Sequence, residues 1–216
     1  MKALFLAMLL SLGVSTEPYA EEVLWDKWKM GDLIVQETTG RSADALRAAG
    51  SHFTHIGIVR PTGGGPYVME MTEDGFGELP VEDFIARGVG HRYAVFRYPG
   101  LTEKQGFKVM MAAFESEHAP YDPFFRLDAE AVYPAELVYR TFQKTGITLA
   151  EPSSVTKAKL ASAAGQKLLL DNWRKNPDCR NKTREQCWKA QQSKSIVTPA
   201  EMVANPKLKM VHSTFD

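Results

Sequence analysis

One stretch restricts the fold of this chain more than any other. Ser51-His-Phe-Thr-His-Ile-Gly-Ile-Val-Arg60 is largely apolar at both alternating sets of positions, with Phe53, His55, Gly57 and Val59 in one and Thr54, Ile56 and Ile58 in the other. A strand of that kind has to be covered on both faces, so it predicts a sheet with further structure on either side. His55 is the polar residue that such a core does not select, and its imidazole is expected in a crevice. Gly50 precedes the strand and Pro61-Thr-Gly-Gly-Gly-Pro66 follows it, which predicts a hairpin into a second strand, Tyr67 to Met71. That strand carries Glu70. A carboxylate on a neighbouring strand fixes the tautomer of an imidazole and stabilises its charged form. The same pair also fits a satisfied core histidine beside a surface glutamate, so other parts of the chain must separate the two readings.

The chain has 216 residues, 44% of them hydrophobic, enough for one core, and no shift in composition marks a second domain. Lysine plus arginine and aspartate plus glutamate both number 26, which leaves no net field to draw the protein to nucleic acid or to an anionic membrane. After Met1-Lys2, residues 3–14 run almost without a polar side chain. That run is short for a bilayer span and suits the core of a signal peptide, so the expectation is an exported protein, periplasmic or secreted. The leader is expected over residues 1–20 and a single mature domain without a transmembrane segment over 21–216. The cleavage point stays open between the small pair Gly13 and Ser15 and a cut after Ala20; no cysteine lies there to carry a lipid. In an oxidising compartment Cys179 and Cys187 are expected to form a disulfide.

In chain order, an aromatic lead-in from Val23 to Met30 is followed by a predicted strand, Gly31 to Gln36, with Asp32 at its mouth. A short helix is expected over 42–49, another between Pro80 and Gly88, and a strand from Arg92 to Tyr98. Thr102 and Gln105 form a capping-box signal for a helix to about His118, with Phe107, Met110, Met111 and Phe114 as its packed stripe. Pro134 stands in the first turn of a further helix, where a missing amide proton costs little, and Gly146 stops it. A polar, peripheral helix is expected over 153–170, and residues 171–194 read as a basic insert, a solvated excursion clipped by the two cysteines or a surface for a protein partner. Thr198-Pro-Ala-Glu201 is a second capping box, and Leu208 to His212 a last strand. Gly63 to Gly65 precede a strand and so form no phosphate loop. His52 and His55 fall on opposite faces of a strand and no ligand set completes a metal site.

In this order the pieces resemble the YiiX-like, circularly permuted members of the papain-fold, NlpC-type cysteine peptidases and amidases. The resemblance is carried by Gly31-Asp32-Leu33-Ile34, the His55 strand, Pro66-Tyr67-Val68-Met69-Glu70, Pro120-Tyr121-Asp122, the helix from Tyr133 to Tyr139, and Val197-Thr198-Pro199. It implies an α+β fold, an antiparallel sheet packed against helices, and a cofactor-free site in which His55 is the general base and Glu70 its orienter. Asp32, Tyr121 and Tyr133 are the cleft candidates it implies. In that family a cysteine opens the helix, after a tyrosine and before a small residue and a glutamate. Here the run is Tyr133-Pro134-Ala135-Glu136, and the nucleophile's position falls on Pro134.

A helix N-terminus and a nearby imidazole together stabilise a thiolate. Proline offers no thiol, and it also lacks the backbone N–H that would help hold an oxyanion, a donor worth about 3 kcal/mol of barrier. The sequence therefore predicts a pseudoenzyme whose cleft binds a peptidoglycan peptide or an acylated molecule. Two other readings stand beside it. One is an amide or ester hydrolase, or acyltransferase, with a displaced nucleophile: Ser51 and Thr54 lie near His55 in sequence, but Thr54 points to the opposite face of the strand, which leaves a hydroxyl from the loop Ser153 to Thr156 as the candidate, with nothing to recommend one. The other is a non-catalytic adaptor acting through the basic insert.

Overall fold

The computed structural model of the protein describes residues 27–127 and 130–215, so the expected leader and the start of the lead-in lie outside the described residues. The first five strands are β1 (Leu33–Gln36), β2 (His55–Thr62), β3 (Gly65–Thr72), β4 (Gly75–Pro80) and β5 (Tyr93–Arg97). A separate short ribbon is made by β6 (Ser153–Ser154) and β7 (Ser195–Ile196), and the last strand, β8 (Lys209–Ser213), joins the main sheet beside β5. The main sheet is six-stranded, in the order β4-β3-β2-β1-β5-β8, with antiparallel pairing throughout.

Both faces of β2 are covered, as its double apolar pattern requires. Ile56 and Ile58 join Leu33, Val35 and Met69 against Val109 of α3 (Glu103–Phe114) and Val138 and Phe142 of α4 (Pro134–Gln143). On the opposite face Val59, Val68, Ile34 and Val95 pack against Trp28 and against Val81 and Phe84 of α2 (Val81–Ala86). This is an α+β arrangement with helices on an antiparallel sheet.

Several expectations need correction. Phe53 does not share the face of His55: it packs edge-on against Phe96 and Phe215, because the Ser51 hydroxyl turns the backbone at Phe53 and the strand begins only at His55. β4 has no counterpart in the sequence reading, since its two glycines obscured the period. Of the stripe expected to pack on α3, Met110 and Phe114 pack against the core, while Phe107 and Met111 face outward, 57% and 49% exposed; the fully buried side is Gly106, Val109, Ala112 and Ala113. Gly106 can approach Met30 there because it has no Cβ.

The segment 153–170 is not one peripheral helix. It comprises β6, turns and α5 (Ala163–Leu169), which packs on α1 (Arg41–Ala48) through Leu160, Leu169 and Ala45. The basic segment is likewise more than a solvated excursion. Cys179 and Cys187 form a disulfide buried with Leu170, Trp173 and Trp188. α6 (Arg184–Gln192) opens with a Thr183–Gln186 capping box, and Lys194 donates to the Phe124 carbonyl and pairs with Asp178.

Gly57 shows what the space beside His55 demands. A Cβ there would lie 2.4 Å from a Val68 methyl carbon, 3.1 Å from the Met69 carbonyl oxygen and 3.5 Å from the Phe84 ring. At Gly77, across β3 from it, a Cβ would meet nothing within 4 Å. Gly57→Ala is therefore expected to destabilise the fold by about 1–3 kcal/mol through overpacking, and Gly77→Ala by less than about 0.5 kcal/mol. Equilibrium urea unfolding of the two variants checks the contrast.

Candidate functional site

A cavity of about 340 Å³ opens off the end of the sheet where β1 finishes, β2 begins and β3 ends. His55, Arg87, Tyr121, Tyr133 and Pro134 all line it. Strand register explains how the first of these is placed. Ile58 pairs with Met69, so one step on, Gly57 lies against Glu70, and His55 can reach diagonally over the bare glycine. His55 Nε2 lies 2.6 Å from Glu70 Oε2. Its ring also lies on that of Phe84, with centroids 5.7 Å apart.

Glu70 is fixed from a second side. Arg87, the residue that ends α2, donates through Nη2 to both carboxylate oxygens at 2.7 and 2.8 Å. The Glu70 side chain is 4% exposed and that of His55 12%. Burial pushes the Glu70 carboxyl up, but the hydrogen bond and charge of His55 and the guanidinium of Arg87 outweigh it and leave the group below its ordinary value. With Glu70 accepting at Nε2, the neutral ring carries its proton there, and Nδ1 keeps its lone pair. Among the described residues Nδ1 has no hydrogen-bond partner.

Pro134 arrives from the other side of the sheet. Tyr133 caps α4 and Pro134 is its first residue, while the Glu136 carboxylate reaches back to accept the Tyr133 N–H at 3.3 Å. Burial pushes the Glu136 carboxyl up to about 8, against the pull of Arg140. The Tyr133 hydroxyl accepts the Val197 N–H at 2.9 Å, which sets residues 197–199 beside Pro134 in the cavity wall. Burial also raises the Tyr133 and Tyr121 phenols. His55 lies on the α2 face and α4 on the opposite face. They share one cavity because His55 is the first residue of β2, at the open end of the sheet.

Tyr121 and Tyr133 thus line the cavity, and Asp32 does not. Asp32 is paired with Arg97 at 2.7 and 2.8 Å and accepts the Lys29 N–H. It sits at the far end of β1: Gln36 pairs with His55, and the four-residue rise from there back to Asp32 is about 13 Å. Arg87 carried no sequence signal, because a basic residue at a helix end is ordinary. The walls supplied by α1 and α5 carry no sequence signal either, since the polar composition of 153–170 points to a peripheral helix.

The hydroxyls near the expected positions of a displaced nucleophile are engaged elsewhere. Ser51 bonds to Phe53, Ser153 to Glu201, Ser154 to the Lys157 N–H, and Thr156 to the Gln192 carbonyl. Thr54 lines the cavity but shares its hydroxyl with Thr38.

The lowered Glu70 pKa fixes the sign of a pH effect. Ionised Glu70 stabilises the fold above the carboxyl's unfolded pKa, and that contribution is lost as pH falls through its lower folded value. Glu70→Gln is expected to cost about 1–3 kcal/mol at neutral pH and to make the acid limb of the stability curve shallower than in wild type. Urea unfolding between neutral and acidic pH measures both.

Comparison with known proteins agrees with this architecture. A family profile described as "Permuted papain-like amidase enzyme, YaeF/YiiX, C92 family" matches residues 27–212. The uncharacterized protein YiiX of Escherichia coli (strain K12) is 27% identical over 172 residues, spanning 78% of this chain and 82% of the relative. A crystal structure titled metalloprotein yiiX, from Escherichia coli O157:H7, superposes with a TM-score of 0.74 at 24% identity, covering 87% of this chain and 98% of that one. With a profile match across most of its length and the same fold in a solved structure, the chain belongs to the permuted papain-like amidase family.

Proposed function

We propose that this chain is a non-hydrolytic member of its family, an exported binding protein that keeps the cleft and has lost the amidase reaction. The observation that carries the reading is Pro134 at the first position of α4, in the same cavity as a His55 oriented by Glu70. Amide cleavage by this architecture needs an atom that attacks the carbonyl and gives its proton to the imidazole. The proline ring has no such atom, and its nitrogen has no proton to offer an oxyanion. The Pro134 ring instead adds an apolar surface to the cavity wall.

Two further observations support the reading. His55 has Glu70 as its hydrogen-bond partner among the described residues, and no serine or threonine hydroxyl donates to it. The apolar run over residues 3–14 and the buried disulfide suit an oxidising compartment outside the cytoplasm. The solved neighbour's title calls that protein a metalloprotein. Here, among the described residues, no group of three or more His, Cys, Asp or Glu is placed to hold an ion, and Glu70 is taken up by His55 and Arg87. The donor set of the described residues does not fit a metal.

The test compares wild type, Pro134→Cys and the double variant Pro134→Cys/His55→Ala against a panel of amide and ester substrates and iodoacetamide. Because Cys179 and Cys187 are paired, the introduced thiol is the reactive one. Wild type is expected to show no turnover, and Pro134→Cys to be alkylated at least about tenfold faster than the double variant, through thiolate stabilisation by the imidazole. Turnover by wild type that disappears in His55→Ala would overturn the proposal.

A further inference from the structure

The disulfide-clipped lobe, residues 171–194, carries a charge distribution that its fold does not use. The chain as a whole is balanced, with 26 basic and 26 acidic residues, and the lobe is not. Two of its three acids are turned to internal pairs. Asp171 holds Arg41, and Asp178 holds Arg126 and the 11% exposed Lys194, each at 3.1 Å. That leaves Glu185 beside six exposed cations, Arg174, Lys175, Arg180, Lys182, Arg184 and Lys189. Among the described residues none of the six is paired with a carboxylate.

Nothing in the packing asks for this concentration. The lobe is held by the Cys179–Cys187 bond, by Leu170, Trp173 and Trp188 around it, and by the Thr183–Gln186 capping box. Like charges crowded into residues 174–189 repel one another and count against a compact lobe, whereas a surface that serves only solubility intersperses both signs. From this we infer that the lobe is a docking surface for an anionic phospholipid bilayer, which it meets peripherally at the headgroup phosphates. The inference rests on the export proposed above and not on the loss of hydrolysis.

The chemistry of the lobe selects this occupant over others. A protein partner needs a desolvated apolar or aromatic centre, from which lysine is depleted. Among the described residues the large hydrophobics that stay exposed, Phe107, Met111, Met210 and Val211, all lie outside the lobe. Single-stranded nucleic acid needs free aromatic faces on which its bases stack. Trp173 has the Arg174 guanidinium over its ring at 4.9 Å, and Trp188 packs on the disulfide. Duplex nucleic acid offers the same phosphates as a bilayer, but an exported chain does not meet it.

A bilayer requires neither an apolar centre nor a stacking face. Its headgroups form a continuous layer of negative charge, and each lysine or arginine held near it adds about fivefold in affinity. The lobe has no exposed large apolar side chain to insert, so attachment is by charge alone and is reversible by salt.

The experiment sediments the mature protein with vesicles of phosphatidylcholine alone and of phosphatidylcholine mixed with an equal part of phosphatidylglycerol. Lys175→Gln/Lys189→Gln probes the lobe. Lys104→Gln/Lys108→Gln removes the same charge from exposed positions on α3, on either side of the Gly106 that approaches Met30. Thermal unfolding confirms that each variant is folded. Wild type is expected to bind the anionic vesicles at about 0.1 M salt, where the Debye length is about 10 Å, and to leave them at about 1 M, where it is about 3 Å. The lobe pair should weaken binding at least about tenfold, and the α3 pair less than about twofold. Equal binding to both kinds of vesicle, binding that survives the higher salt, or equal loss in the two pairs would overturn the inference. Tighter binding to duplex DNA or to polyglutamate than to the anionic vesicles at the same salt would overturn it too, in favour of a nucleic acid or an acidic protein. Recovery of the protein from the cytoplasm on cell fractionation would remove the export reading alone, because the vesicle and DNA measurements are made on the isolated protein.

Discussion

A buried carboxylate is the constraint on which the site depends. Glu70 sits inside the β2–β3–β4 ladder, where a lone ionised group would be severely destabilising, and it is tolerated because His55 and Arg87 contact it from two directions. Each contact fixes a different part of the chain. His55 ties down the first residue of β2, and Arg87 ties down the end of α2. The bare Cα of Gly57 is what lets the imidazole cross to Glu70 and lets Phe84 lie against it. The His-x-Gly spacing of the motif is thus a packing requirement as well as a chemical one.

Pro134 shows the opposite kind of constraint, one that the fold does not feel. The first amide of a helix has no partner within the helix, so proline at that place removes nothing from α4. Tyr133 still accepts from Val197 and Glu136 still reaches back to the cap. These contacts of the turn are kept, and under the proposed reading only the chemistry of a cysteine at that place is missing. A change confined in this way leaves a folded cavity available for binding.

The parts of this arrangement legible in the sequence are those fixed by local rules. The double apolar pattern around Ile56 and Ile58 announced a covered strand, the Gly-rich turn announced its hairpin, and Thr102 and Thr198 announced their helices. The cavity's composition was not legible, because it is made by long-range packing: α1 against α5, and the disulfide loop against both. Arg87 was invisible for the same reason, since only the packing of α2 on β3 sets it against Glu70. The outward half of the α3 stripe has another cause, since Met110 and Phe114 do pack on the core. Phe107 and Met111 have the right spacing for a core face, but Gly106 and the small residues after it allow closer approach, and the helix turns that side inward.

The central claim is that the first turn of α4 and the free nitrogen of His55 face each other across one cavity, with an inert ring where a nucleophile would stand. A crystal structure of the Pro134→Cys variant tests it most directly. The account predicts the new sulfur within about 3–4 Å of His55 Nδ1, with Nε2 still bonded to Glu70. A sulfur turned away from the imidazole, or a packed layer of side chains between the two, would contradict it.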